Sequence, residues 1–244
     1  MAISRFRAST DSKNLNGYRI DMLGSALNLF GALRDDSQIL DEAIDIYRRA
    51  LRLDTWTLPG RAHMFRQLGE VLKHKASWTE ALEAFTSAAQ CQPQSIFTVF
   101  TAECYLHLNQ STLAVNHILS VDRSRLSASE LTDYVFVFSA VFVEIGDQRR
   151  LEEAESLLRQ QGLTSPLFRS CRDSLLISVV GTRRSGRSDS FIRTARRAIA
   201  QLLTRANRYL LLEPNIMGFG VRLNAILGDL AKAADQHSGD GKQK

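Results

Sequence analysis

The sequence predicts an all-α fold assembled from repeated helix pairs, and three observations carry that expectation. Breakers are scarce: 14 Gly and 4 Pro in 244 residues fall well below the roughly 12% of average usage, too few for a turn-dense all-β chain. Apolar residues recur at spacings of three and four, the stripe of a helix that buries one face. Small and bulky residues also recur together at a longer interval of about 34 residues, so a helix-turn-helix unit is repeated. With 44% hydrophobic and 23% charged side chains, the chain has the composition of a globular protein with a sizeable core, which excludes disorder and a disulfide scaffold.

Residues 1–16 carry no periodic signal and are expected to be flexible. Helical units are expected over 17–165. In the first, Leu23, Gly24 and Leu27 mark one helix and Ala43, Tyr47 and Ala50 a second, joined through the stretch ALRDDSQ. The second unit, 62–95, is the most complete. Phe65, Leu68, Gly69 and Leu72 stand on its first helix, Ala76 and Trp78 mark the turn, Ala81, Phe85 and Ala88 form the second stripe, and Pro93 stops it. Gly69 and Ala81 sit where two helix backbones must approach closely, and Phe85 and Leu72 fill the space between them. Ala102, Tyr105, Leu108, Asn109, Ala114, Ile118 and Val121 repeat the pattern, as do Phe138, Phe142, Gly146, Ala154 and Leu158.

The run 134–145, YVFVFSAVFVEI, would read as a buried strand in isolation. Helix is preferred because Ser127 and Glu130 have the Ser-x-x-Glu spacing of a capping box and Gly146-Asp147 closes the turn. Beyond residue 165 the unit pattern is lost but helical periodicity persists. Leu167, Cys171, Leu175, Leu176 and Val179 suggest one helix, 191–206 another, and 216–230 a last one that caps the array. Residues 166–235 are thus a divergent helical section, and 236–244 a disordered tail.

The pattern at 62–95 resembles the tetratricopeptide repeat family at nearly every signature position, and 17–165 follows it in weaker form. The long first unit is similar to the extended repeats of arrays attached to caspase-like or nucleotide-binding signalling proteins. The resemblance implies a right-handed α-solenoid whose first helices line a concave groove that takes a protein or peptide partner. It places His63, Arg66, Glu70, Lys73 and His74 on that side, with Tyr18, Asp21, Ser25 and Asn28 in the first unit and Glu103 and His107 in the third. Arg66, Glu70 and Lys73, four and three apart, share one helix face. Arg66, Lys73 and Asn28 would then hold a peptide carboxylate or acidic side chain, or Arg66, Glu70 and Lys73 would only pair among themselves at the surface. The family's carboxylate clamp expects Asn where this chain has Glu70, which argues against a chaperone-tail ligand.

Net charge is +5, concentrated in one stretch: 169–208 holds ten Arg against Asp173 and Asp189. Arg183, Arg184 and Arg187 are expected on a loop, and Arg193, Arg196 and Arg197 on the helix that follows. This segment is the candidate site for a polyanion or nucleic acid, although aromatic residues for base stacking are nearly absent and a solvated helix face is the preferred reading.

Catalytic signals are weak. Gly181-Thr-Arg-Arg-Ser-Gly186-Arg187-Ser188 has phosphate-loop glycine spacing, but Arg187 stands in place of the lysine and the partner strands are missing. Cys104 and His107 share a helix face, yet two ligands do not make a zinc site. No nucleophile signature or paired acid cleft appears. The expectation is therefore a noncatalytic interaction module without cofactor or metal, an adaptor for a protein or peptide partner whose open solenoid ends could also stack on a second copy as a homodimer, with nucleic-acid binding or service as a regulatory subunit of a separate effector enzyme as alternatives. No apolar run reaches the length of a membrane span, the N-terminus lacks a signal-peptide core, and three cysteines without CxxC spacing suit a reducing, cytoplasmic compartment.

Overall fold

The computed structural model describes residues 17–53, 56–163 and 166–185. These form α1 (Gly17–Arg34), α2 (Ser37–Leu51), α3 (Leu58–His74), α4 (Trp78–Cys91), α5 (Ser95–His107), α6 (Ser111–Leu119), a short 3₁₀ turn (Arg123–Arg125), α7 (Ala128–Ile145), α8 (Gln148–Gln160) and α9 (Pro166–Ser185), with no strand among the described residues. Each helix packs on the next. Contacts also join α1 to α3, α5 to α7 and α7 to α9, while an ion pair joins α3 to α5. The first helices of successive pairs are therefore neighbours.

Within the pairs, Ala43, Ala81, Ala114 and Ala154 are fully buried, and so are Tyr47, Phe85, Ile118 and Leu158, one helical turn further on. Burying Ala at one level and a bulky side chain at the next lets the second helix lie close and still fill the gap. The facing glycines complete the fit. A methyl group on Gly69 would come within 2.6 Å of the Phe85 ring, and one on Gly24 would collide with Tyr47.

The turns inside the pairs share a device that residue patterns did not show. Asp35, Ala76, Asn109 and Gly146 all have positive φ, between 55° and 74°, and each directly precedes the N-cap of the next helix, respectively Asp36, Ser77, Gln110 and Asp147. In three of them the following N–H donates to the carbonyl five residues back, Asp36 to Gly31, Ser77 to Leu72 and Gln110 to Tyr105, all at 2.9 Å. One left-handed residue thus satisfies the last carbonyls of the first helix and reverses the chain. Gly, Asn and Asp accept that conformation, whereas Ala76 pays the Cβ penalty. Replacing Ala76 by Gly is expected to raise stability by about 0.5–1 kcal/mol in urea unfolding, and destabilisation would show that the turn is not left-handed.

The run 134–145 is helical, and its N-terminus carries the expected box: the Ser127 N–H donates to Glu130 Oε2 at 2.9 Å and the Glu130 N–H to Ser127 Oγ at 3.4 Å. Residues Tyr134 to Val143 are all buried because α7 touches α5, α6, α8 and α9. Its Val and Phe content reflects neighbours on every side and not pleating.

One expectation is corrected. Arg183 and Arg184 lie in the last turn of α9, not on a loop, because the helix that buries Cys171, Leu175 and Val179 continues through Gly181. The expected helices over 191–206 and 216–230, the flexible 1–16 and the tail 236–244 lie outside the described residues. No helix among the described residues is long and apolar enough to cross a membrane.

Candidate functional site

Chemistry-bearing side chains gather on α3, α5 and α7. The centre is Lys73, 1% exposed, whose Nζ lies 2.5 Å from Glu103 Oε2 and 3.5 Å from Glu70 Oε2. The same ammonium stands 4.7 Å from the Phe100 ring centre and 5.8 Å from that of Phe85, so aromatic faces as well as carboxylates compensate for lost water. Burial alone would drive the proton off Lys73, but Glu103 and Glu70 together outweigh it and hold the group well above the usual lysine range.

Asp133 faces this group from α7. Burial, reinforced by Glu70 and Glu103 against the opposing pull of Lys73 and Arg66, pushes its carboxyl up to about 8. Asp133, Arg66 and Glu70 are half-buried residues, whereas Lys73 and Glu103 are buried. Arg66 lies with its guanidinium carbon 5.7 Å from the Phe100 ring centre, and the expected Arg66–Glu70 pair is not among the ion pairs formed by the described residues.

The other sequence-derived groove residues tie α3 to α1. His74 Nδ1 lies 2.7 Å from Asn28 Oδ1, with both side chains buried, and His63 Nε2 lies 3.1 Å from Asp21 Oδ1. Reading Lys73, His74 and Asn28 as exposed ligand contacts is therefore corrected. Consecutive positions on a helix point about 100° apart, so at the end of α3 Lys73 turns to α5 and His74 to α1. Of the six groove residues, His63, Arg66 and Glu70 remain accessible to water. The side chain of Tyr18 is not among those described.

Cys104 is buried, and burial, with Glu103 adding to it, pushes its thiol far above the usual range, which suppresses the thiolate. His107 stacks on Trp78 with ring centres 3.6 Å apart, and His117 leans on Tyr105. Among the described residues no three His, Cys, Asp or Glu side chains gather as metal ligands do. Arg183 of the anionic-ligand candidates pairs with Glu155 at 2.9 Å, Arg184 is exposed, and Arg187, Arg193, Arg196 and Arg197 lie outside the described residues. Asp133 escaped the sequence reading, although it is the lone charge in the run 131–143, apolar apart from Thr132 and Ser139, which is itself a signal.

Comparison with known proteins leaves the reading to these observations: no family model matches the chain, and neither a curated protein nor a solved structure does.

Proposed function

We propose that the chain is a noncatalytic interaction module of the tetratricopeptide kind, a right-handed solenoid that takes a protein or peptide along the face made by its first helices. It serves as an adaptor or regulatory subunit in the cytoplasm. The observation that carries this reading is the joining of the first helices α3 and α5 through the buried Lys73–Glu103 pair, with Arg66 and Glu70 of α3 left half-buried. That buried pair fixes the two helices against each other, while the half-buried Arg66 and Glu70 keep hydrogen-bonding capacity for a ligand. Repeated left-handed turns and buried Ala levels support the repeat reading.

Arg66 is the group to test, because Lys73 is buried in a pair with Glu103 and its loss would disturb the fold. Affinity capture with the tagged full chain, compared between wild type and Arg66→Ala, should show the variant losing about tenfold in partner recovery, a typical cost for a charge-assisted hydrogen bond, with unchanged circular dichroism. Equal recovery of every captured protein would place the binding face elsewhere.

A further inference from the structure

The most exposed large apolar side chain among the described residues is Ile177, 71% exposed, near the middle of α9. This helix buries Phe168, Cys171, Leu175, Ser178, Val179 and Thr182 where it packs on α7 and α8. At about 100° per residue those six share one side of the helix, and Asp173, Ile177, Val180 and Arg184 run along the opposite side. Asp173, Ile177 and Arg184 are exposed and Val180 is half-buried. The two charged groups remain able to take a partner. Both contacts of Asp173 with Arg172 fall on one oxygen, with Nε at 2.9 Å and Nη2 at 2.7 Å from Oδ1, and it is Arg183, not Arg184, that pairs with Glu155.

We infer that this side of α9 docks a second copy of the chain, the two α9 helices lying antiparallel. The order of residues along the face carries the inference. Asp173 and Arg184 stand equally far from the midpoint between Ser178 and Val179, and so do Ile177 and Val180. A twofold antiparallel copy therefore sets Asp173 against Arg184 of the second copy, and Arg184 against Asp173 of the second copy, with Ile177 and Val180 meeting across the middle. Charge complementarity is met twice by one surface. Parallel pairing would set Asp173 on Asp173 and Arg184 on Arg184, and like charges repel.

Charge also argues against the chain's own continuation as the occupant. Residues 186–208 carry Arg187, Arg193, Arg196, Arg197, Arg205 and Arg208 against Asp189 alone, and they would bring cations to a face that already has Arg184 and, one turn before Asp173, the exposed Arg169. In the antiparallel register Arg169 falls beyond Ser185, where α9 of the second copy ends, and so meets no like charge on that helix. One pair of helices is a small interface, which makes the dimer reversible and its dissociation constant micromolar. The pairing does not rest on the groove reading, since it uses no residue of α3 or α5.

Sedimentation velocity of the full chain over about a hundredfold range of concentration tests this. Wild type should pass from monomer to dimer as concentration rises. Ile177→Glu places a carboxylate from each copy in the middle of the contact and should stay monomeric, with unchanged circular dichroism. Asp173→Arg and Arg184→Asp should each weaken association about tenfold, because either one turns two attractive pairs into repulsive ones. Combining them inverts both pairs and should restore the wild-type dimer. A wild type that stays monomeric throughout would overturn the inference, and loss of helical signal in monomeric Ile177→Glu would show that the face is covered within a single chain. A dimer that tolerates Ile177→Glu would place the contact elsewhere. A combined variant no tighter than the single ones would overturn the antiparallel register.

Discussion

Replacing Lys73 by Met is expected to cost about 3–5 kcal/mol of folding stability, because it removes the cation from a buried pair and leaves its carboxylate partners in a site built around it. Met keeps the length and apolar stem of the side chain, so packing against Phe85 and Phe100 is largely retained and the loss is electrostatic. Urea unfolding followed by circular dichroism measures it. A change below about 1 kcal/mol would mean that the pair is screened as surface ion pairs are.

Phe85→Ala is expected to cost about 3–5 kcal/mol as well, by a different route. The ring is fully buried, meets the backbone of Gly69, lies with its centre 4.9 Å from that of Phe100 and supports the Lys73 ammonium. Its removal opens a cavity among α3, α4 and α5 that a backbone as close as that of Gly69 cannot fill by collapse. The same unfolding measurement applies, and a near-neutral outcome would mean that Phe85 does not sit between the two helices.

These two residues also show what was legible beforehand. Phe85 belongs to a spacing pattern with Gly69 and Ala81, and such patterns are read along a single helix, so α3 and α4 were visible in the sequence. Ser127, Glu130 and Gly146 announced α7 by local hydrogen-bond chemistry. The left-handed backbone at Asp35, Ala76 and Asn109 was hidden, because three different residue types adopt one conformation there and only glycine advertises it.

For the site, the one-helix part was legible and the cross-helix part was not. Arg66, Glu70 and Lys73 share a face by arithmetic alone, but which of them a neighbouring helix covers depends on Glu103, thirty positions further along the chain from Lys73. Depth is a tertiary property. It turned Lys73 from a presumed ligand contact into half of a buried ion pair, and it raised the proton affinity of Asp133, unremarked in the sequence. Glu103 stood among the first-helix positions of the third unit, and its pairing required α3 and α5 to be neighbours.

That neighbourhood is the central claim, and a double-mutant cycle between Lys73 and Glu103 tests it most directly. Lys73→Met, Glu103→Leu and the combined variant would be unfolded in urea under one set of conditions. The account predicts a coupling energy of about 2–3 kcal/mol, so that the combined variant loses less stability than the two single losses added together. Effects that add to within about 0.3–0.5 kcal/mol would contradict it, since two residues without contact have no means of compensating for each other.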